Sequence, residues 1–394
     1  MPCHRVPKTN IKNHMKNATA QPIIENLLSH IVNKQSWTTE AMTVPTADYT
    51  SPDHLRHEQT SVFARMPQLV ALSSDLPEPG STLARDTTSF PLLLTRDSAG
   101  EVHAFANVCA HRGAQIVSDG RDCSRRLTCP YHAWSYDMQG TLVSVPDQKA
   151  FPQLTVPGPG LREFAVYEGH GTIWVTLDLD TDAPIDPQLG AIAEDLDSFG
   201  IKNYDYWKSH HFDLDMNWKL VIDTFLEPYH FASLHRNTVG PLFVANLCHA
   251  ERFGHHVREV LPRQTLIELM DTPPDSWKLE PHSALVYVLF PNTVFVMQID
   301  HIETWRVTPD PHNPSKSTCD LDFYIPKLPK TSSESSHWER NWQLTIDTVI
   351  DEDFAAMTRV QRGLVSNVAS VIRIGSNEPA LGMFHASLAE ALQT

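Results

Sequence analysis

The stretch that decides the fold is the pair of segments "CAHRGAQ" (109–115) and "TCPYHAW" (128–134). Each segment contains one cysteine and one histidine, which are Cys109 and His111 in the first and Cys129 and His132 in the second. Seventeen residues lie between the two pairs. Two thiols and two imidazoles at this spacing predict a metal site held by two loops. The donor set fits a tetrahedral zinc ion or a cluster of two irons and two sulfides.

The arrangement of the donors favours the cluster over zinc. A Cys2His2 zinc finger usually pairs cysteine with cysteine and histidine with histidine, whereas here each loop supplies one of each. Gly113 and Pro130 suit a backbone that turns closely around a cluster. The loop pair resembles the Rieske iron–sulfur motif. Neither loop has the extra cysteine of respiratory-chain Rieske proteins, so the resemblance is to the oxygenase and ferredoxin branch.

The composition is that of a globular protein with more than one domain. The chain has 394 residues, of which 41% are hydrophobic and 20% charged, and this length predicts two domains. Its net charge of −16 argues against nucleic-acid binding and against docking on anionic membranes. The basic start lacks the apolar core of a secretory signal, so we expect a polar leader. No apolar run is long enough to span a membrane, and six scattered cysteines do not make a disulfide framework, so a cytoplasmic location is expected.

The periodicity of apolar residues predicts an α+β fold. Residues 21–35 show the helical spacing of a packing helix. A strand–turn–strand pattern around Asp97–Gly100, followed by two similar hairpins, predicts a small all-β unit up to about residue 180. Beyond it, a helical segment at 217–227, several strands and a helix from about 337 to 365 predict an antiparallel sheet with packed helices.

A second metal constellation is predicted in "NWKLVIDTFLEPYHFASLH" (217–235). His230 and His235 lie five residues apart, and Glu227 precedes the first by three. Two imidazoles and one carboxylate that leave open positions form the facial triad of non-haem iron(II) oxygenases. Positions five apart diverge by about 140° on a straight helix, so the helix must end or distort here. Pro228 gives the physical reason, because it lacks an N–H and crowds the preceding turn.

The third ligand is expected to be an acid in "IDTVIDEDFAAMTRVQRGL" (346–364). On a helical wheel at about 100° per residue, Asp353 falls within about 25° of the centre of the apolar stripe. The other acids point about 95° or more away from that centre, and they are Asp347, Asp351 and Glu352. A carboxylate within a buried stripe is costly unless a cation or hydrogen bonds compensate it. Asp353 is therefore the predicted ligand, with an acid that caps or pairs inside the core as the alternative.

Both motifs, in this order, resemble the α subunits of Rieske non-haem iron oxygenases over about residues 58–364. Besides the two metal loops, the resemblance rests on Asn217-Trp218-Lys219, Glu227-x-Tyr229-His230-x4-His235, Glu352-Asp353 and Gln361-x-Gly363. The leader and a helix that packs on the catalytic domain are expected over 1–57, and the resemblance implies a Rieske [2Fe–2S] domain over 58–180. It also implies a helix-grip, lipid-transfer-like catalytic domain with a mononuclear iron over 181–394.

The resemblance further implies the roles of the site residues. The cluster would be held by Cys109, His111, Cys129 and His132. The Fe(II) ion would be held by His230, His235 and Asp353. The family arrangement is a homotrimer in which an acid, here Glu227, connects His132 of one subunit to His230 of the next. Most members carry Asp at this position, so Glu227 leaves the substrate class more open.

The expected function is that of a terminal oxygenase. The chain has no dinucleotide-binding or P-loop motif, so electrons from NAD(P)H are expected to come from a separate flavin and iron–sulfur reductase, directly or through a ferredoxin. The first reading is O2-dependent hydroxylation of a hydrophobic, ring-containing molecule, as in aromatic hydrocarbon catabolism. The second is oxidation or demethylation of an N-methyl, O-methyl or quaternary ammonium compound. The third is a Rieske electron carrier or a ligand-binding protein without catalysis.

Apolar residues next to the iron motif either line a substrate cavity or belong to the core. These residues are Phe225, Leu226, Phe231 and Leu234. The sequence leaves open whether one or two oxygen atoms enter the product.

Overall fold

A computed structural model describes residues 14–88, 90–118, 120–178 and 184–393. These residues form two compact units. The first consists mainly of Ala64–Pro187, and the second contains the preceding N-terminal elements and the chain from Tyr204 onward. The first thirteen residues of the predicted leader lie outside the described residues.

The elements before the first unit are one long helix, two short helices and a strand. They are α1 (Asn17–Asn33), β1 (Met42–Pro45), α2 (Ala47–Thr50) and α3 (Pro52–Glu58). Helix α1 confirms the helix predicted over 21–35. Its buried stripe consists of Ala20, Ile23, Ile24, Leu27 and Leu28, which lie on one face because they recur at helical spacing.

The first unit is built from antiparallel strands. They are β2 (Gln68–Leu72), β3 (Ser81–Asp86), β4 (Pro91–Arg96), β5 (Val102–Ala106), β6 (Gly120–Cys123), β7 (Leu127–Thr128), β8 (Ser135–Tyr136), β9 (Leu142–Ser144), β10 (Glu163–Phe164), β11 (Val166–Gly169) and β12 (Thr172–Val175). They form sheets in the orders β10-β5-β4-β3-β6, β11-β12-β2 and β7-β8-β9. The predicted hairpins β4–β5, β8–β9 and β11–β12 are confirmed.

The second unit contains a seven-stranded antiparallel sheet covered by helices. Its elements are α4 (Ile192–Phe199), β13 (Asp205–Leu214), α5 (Trp218–Asp223), β14 (His249–Phe253), β15 (His256–Pro262), β16 (Ser283–Leu289), β17 (Thr293–Met297), β18 (Ile302–Pro309), β19 (Ser317–Ile325), α6 (Ser332–Thr348), α7 (Ala355–Val365), β20 (Val371–Ile374) and α8 (Pro379–Ala391). The strand order is β13-β19-β18-β17-β16-β15-β14, and β20 pairs with β1. Helix α5 packs against β18, and α8 packs against β14 and β15. The predicted α+β class is confirmed.

The long C-terminal helix differs from the prediction at its start. It begins at Ser332, within the Ser-rich segment, rather than at about 337. Thr331 Oγ1 accepts a hydrogen bond from Glu334 N, and Glu334 Oε2 accepts one from Thr331 N, each at 3.2 Å. This capping box satisfies N–H groups of the first turn, so the helix forms despite its serines.

The same helix also changes its winding in the middle. A π-helical turn at Val349–Phe354 separates α6 from α7, where the prediction assumed uniform α-helix. None of the helices in the described part of the chain is long and apolar enough to cross a membrane.

Candidate metal centres

The two metal loops of the first unit have the same backbone conformation. In each loop the cysteine N–H donates to the carbonyl five residues further on, at 2.8 Å in both Cys109 and Cys129. The N–H four residues on donates back to the cysteine carbonyl, at 2.9 Å from Gly113 and 3.0 Å from Ala133. Both of these residues adopt the left-handed conformation, with φ of 76° and 57°. One loop follows β5 and the other follows β7.

The four predicted cluster ligands converge between these loops. The Nδ1 atoms of His111 and His132 are 3.1 Å apart, and the Cys109 and Cys129 side chains are buried. The His111 ring stacks on Trp134 with a centroid distance of 4.7 Å. Desolvation and the neighbouring His132 lower the pKa of His111, which favours the neutral imidazole that binds a metal. Two buried thiols beside two convergent imidazole nitrogens fit the donor set of a Rieske cluster.

Tyr136 is a residue of this centre that the sequence reasoning missed. Its hydroxyl lies 3.2 Å from Cys109 Sγ and accepts a hydrogen bond from Ala110 N at 3.1 Å. Burial raises the pKa of the Cys109 thiol, while the contact with Tyr136 lowers it. A hydroxyl donor therefore stabilises the thiolate that a metal requires, and hydrogen bonds to sulfur tune the reduction potential of such clusters.

Three side chains of the second unit converge on one point. The Nε2 atoms of His230 and His235 are 3.0 Å apart, and Asp353 Oδ1 lies 3.4 Å and 3.1 Å from them. An ion at the usual bond length of about 2.1 Å from each atom fits over this triangle and keeps an open side. The structure thus brings together the three predicted residues, whereas Asp351 is exposed to solvent.

A broken helix directs both histidines to this point. Helix α5 ends at Asp223, and a 3-10 turn begins at Pro228, which confirms the predicted distortion. Glu227 caps this turn, because its Oε2 accepts a hydrogen bond from His230 N at 3.0 Å. His230 lies within this turn, and His235 follows after the turn has ended at Ala232.

Two further carboxylates hold the imidazoles on the side away from the triangle. Glu227 Oε1 accepts a hydrogen bond from His230 Nδ1, and Glu352 Oε2 accepts one from His235 Nδ1 at 2.6 Å. These bonds place the proton on Nδ1 and leave Nε2 free to bind a metal. Burial lowers the pKa of His235, but the hydrogen bonds and charges of Asp353 and Glu352 raise it overall.

Glu352 is the second residue that the sequence reasoning missed in this role. On a uniform helix its side chain points away from the apolar stripe, as does that of Asp351. The π turn at Val349–Phe354 rearranges this part of the helix, and Glu352 reaches both His235 and Thr238 Oγ1, the latter at 2.7 Å. The position of Glu352 directly before Asp353 in the sequence was the available signal for a role in the same site.

A cavity of about 400 Å³ opens beside the three convergent side chains. Phe225 and Phe231 line it, whereas Leu226 is packed in the core and Leu234 does not line it. Exposed apolar side chains also contribute to its wall, and they are Leu242, Ile299 and Leu344. Polar and charged side chains line the cavity near the β17–β18 turn, and they are Arg263, Gln298, Asp300, His301, Glu303 and His337.

Two family models match the chain. The Rieske [2Fe-2S] domain model matches residues 66–164, and the model of the ring-hydroxylating alpha subunit catalytic domain matches residues 201–394. The chain belongs to the Rieske oxygenase α-subunit family. This α subunit is an oxidoreductase, and its cofactors are a Rieske [2Fe–2S] cluster and a mononuclear iron.

The curated relatives of the α subunit include enzymes of quaternary ammonium metabolism. Chloroplastic choline monooxygenase of Beta vulgaris is 25% identical over 389 residues, which are 96% of this chain and 83% of the relative. The carnitine monooxygenase oxygenase subunit of Escherichia coli K12 is 28% identical over 206 residues, 50% of this chain and 53% of the relative. These relatives do not support the expected role in aromatic hydrocarbon catabolism.

Solved structures share the fold of the α subunit. The quaternary ammonium Rieske monooxygenase CntA with L-carnitine has a TM-score of 0.73 and 21% identity, over 89% of this chain and 94% of that one. Naphthalene 1,2-dioxygenase from Rhodococcus sp. bound to indole has a TM-score of 0.70 and 17% identity, over 94% and 98%. The predicted two-part architecture, with a helix-grip catalytic domain, is confirmed.

Proposed function

We propose that the α subunit is the terminal oxygenase of a monooxygenase system that oxidises a quaternary ammonium or N-methyl compound. The observation that carries this proposal is the cavity, which opens onto His230, His235 and Asp353 and combines aromatic rings with carboxylates. Aromatic faces and acids are the groups that bind methylated ammonium ions. The choline and carnitine monooxygenases among the relatives support the same substrate class.

The metal groups would be held by the predicted residues. In this proposal the cluster ligands are Cys109, His111, Cys129 and His132, and the iron ligands are His230, His235 and Asp353. When bound, the cluster supplies electrons singly and the iron activates O2 next to the substrate. The protein contributes two neutral imidazoles and one carboxylate in a fixed triangle.

Glu227 is proposed as the connecting carboxylate of a homotrimer. It already holds His230 through both the ring Nδ1 and the backbone N. A carboxylate has about four lone-pair sites, so Glu227 can also accept a hydrogen bond from His132 of the partner subunit. The cluster of one subunit would then be joined to the iron site of the next by a single side chain.

Aromatic and acidic side chains are proposed to bind the methylated ammonium group. The Phe231 ring lies 5.1 Å from the His230 ring and 5.4 Å from the His235 ring, so an aromatic surface borders the candidate iron site. Burial raises the pKa of Asp300, but hydrogen bonds with His301 and His337 lower it overall. Asp300 is therefore ionised at neutral pH, and it lines the cavity together with His301 and His337, with which it pairs.

The proposed reaction converts a C–H bond next to the ammonium nitrogen into C–OH. One atom of O2 enters the product, the other leaves as water, and two electrons and two protons complete the balance. A hydroxylated N-methyl group then releases formaldehyde, a proton and the tertiary amine. We propose that NAD(P)H supplies the electrons through a separate flavin and iron–sulfur reductase, directly or through a ferredoxin.

Turnover of isotopically labelled O2 tests this proposal. The holoprotein is supplied with electrons by an added reductase and offered choline, L-carnitine, γ-butyrobetaine and naphthalene in turn. We expect labelled oxygen in the product of a quaternary ammonium compound, and formaldehyde if an N-methyl group reacts. Labelled hydroxylated naphthalene without any ammonium product would contradict the proposal and favour ring hydroxylation.

A further inference from the structure

Arg263 is a cavity residue that forms no ion pair with an acid among the described residues; burial lowers its pKa overall, although the charge of Asp300 raises it. It follows β15 and lines the cavity. Its Nη2 donates to Gln298 Oε1 at 2.8 Å and its Nε to Ser283 O at 3.5 Å. The guanidinium carbon lies 4.7 Å from the centre of the Phe243 ring. Within the described ranges, no carboxylate oxygen lies within 4.0 Å of the guanidinium nitrogens.

The acids near Arg263 are engaged with other partners. Asp300 is bound by His301 Nδ1 at 2.9 Å and by His337 Nε2 at 2.7 Å. Glu303 is bound by His301 Nε2 at 3.2 Å and by Thr345 Oγ1 at 2.9 Å. Arg263 is partly desolvated and has no ion-pair partner among the described residues, so a carboxylate supplied by the substrate would stabilise its charge. In the described structure Nη1 of Arg263 donates to no protein atom.

We propose that Arg263 binds a carboxylate of the substrate, so that the substrate is a zwitterion with both a methylated ammonium and a carboxylate. This inference rests on the proposed function and narrows its substrate class. A guanidinium offers parallel N–H donors that match the two oxygens of a carboxylate. A simple cation without an acid group would leave Arg263 unpaired and would meet a like charge in the same cavity.

Aromatic contacts connect Arg263 to the candidate iron site and define the orientation of the substrate. The guanidinium of Arg263 lies over the Phe243 ring. The centre of this ring is 5.4 Å from that of the Phe231 ring, which is 5.4 Å from that of the His235 ring. Two aromatic rings thus separate the guanidinium from a candidate iron ligand. With its carboxylate on Arg263, the substrate extends along these rings and presents its methylammonium end to the iron site.

Four probes that share one carbon chain test the proposal by equilibrium binding to the holoprotein. The first is γ-butyrobetaine, and in the second a hydroxymethyl group replaces its carboxylate. In the third a tert-butyl group replaces the trimethylammonium group of γ-butyrobetaine. The fourth has both replacements and so carries no charge. For wild type we expect the carboxylate to increase affinity about 10- to 100-fold over hydroxymethyl, with either head group. Arg263→Gln should remove this preference and leave the affinity for the hydroxymethyl probes within about threefold.

A surface arginine provides the matched control. Arg252 pairs with Glu390 at 2.6 Å, and Arg252→Gln should keep the wild-type preference for the carboxylate. Arg263→Lys retains the charge without the paired donors and should keep only part of the preference.

The outcomes separate this inference from the proposed function. Equal wild-type affinity for carboxylate and hydroxymethyl probes overturns the role of Arg263, even if the variants do not fold. A carboxylate preference that persists in Arg263→Gln also overturns it. Equal affinity for ammonium and tert-butyl heads contradicts the proposed function instead, while the carboxylate comparison still decides the role of Arg263.

Discussion

Carboxylates around the mononuclear site differ in what their oxygens contact. Asp353 faces both Nε2 atoms, whereas Glu352 and Glu227 each contact the Nδ1 of one histidine. Substitutions that remove one charge at a time therefore distinguish a ligand from a positioning residue.

Replacing Asp353 with Ala should abolish turnover and leave the visible spectrum of the cluster unchanged, because Asp353 converges with His230 and His235 and is not one of the four predicted cluster ligands. Product formation and absorbance measure the two effects. Asp351→Ala, on the same turn but exposed, is the control and should remain active. Full activity of Asp353→Ala would refute its assignment as a ligand.

Glu227→Gln and Glu352→Gln should have different consequences. Glu352→Gln weakens the hydrogen bond that holds His235, a predicted iron ligand, and should lower the affinity for iron about 10- to 100-fold. Glu227→Gln should keep most of the iron but slow reoxidation of the reduced cluster, which stopped-flow absorbance follows. Equal losses of iron in both variants would show that Glu227 is structural rather than connecting.

Glu259 should make stability depend on pH. It is fully buried on β15, and burial raises its pKa from 4.5 to about 8; the Cys248 thiol lowers it and the charge of Glu227 raises it. Between these pH values the folded state holds a proton that the unfolded state has lost, so stability falls as pH rises, by about 1.4 kcal/mol per unit. Glu259→Gln should remove this slope in denaturant unfolding, whereas Glu268→Gln, which is exposed, should keep it.

At the scale of elements, local patterns predicted most of the structure. The hairpins of the first unit and helix α1 follow from turn residues and apolar periodicity, which act over a few neighbours. The start of α6 was predicted too late because the prediction did not include the Thr331–Glu334 capping box. The π turn at Val349–Phe354 could not be predicted, because packing in the folded unit determines it.

The buried ion pair between α3 and α5 should contribute strongly to stability. Lys219 Nζ pairs with Glu58, both side chains are inaccessible, and Trp218 Nε1 donates to Glu58 Oε2 at 2.9 Å. Lys219→Met leaves a buried carboxylate without its main counter-ion and should lower the free energy of unfolding by about 3–5 kcal/mol. The double variant with Glu58→Gln should recover part of this loss, since the amide still accepts from Trp218. A Lys219→Met variant as stable as wild type in denaturant unfolding would contradict this.

For the whole molecule, metal content distinguishes an oxygenase from an electron carrier. Two irons of a [2Fe–2S] cluster and one mononuclear iron give three irons per chain, whereas a carrier or ligand-binding protein would hold two. The measurement is iron and acid-labile sulfide per chain in purified holoprotein. A His230→Ala, His235→Ala double variant should retain two irons and both sulfides.

The candidate site was predicted to the extent that its residues stand in local motifs. Cys109 and His132 belong to short loops with diagnostic spacing, and His230 and Asp353 follow from the helix argument. Tyr136 and Arg263 reach their positions only through the folding of distant segments, so no short pattern indicates them, whereas the position of Glu352 directly before Asp353 was a local signal for its role. The substrate class likewise depends on the cavity rather than on the motifs.

The equivalence of the two metal loops has a consequence for how the cluster is lost. Each loop supplies one sulfur and one nitrogen, and in a Rieske cluster both thiolates sit on one iron and both imidazoles on the other. Each loop would therefore hold both irons, one through its cysteine and the other through its histidine, so release of either loop would weaken the binding of both irons. The visible absorbance of the cluster should accordingly be lost in a single step, without an intermediate that retains one of the two irons.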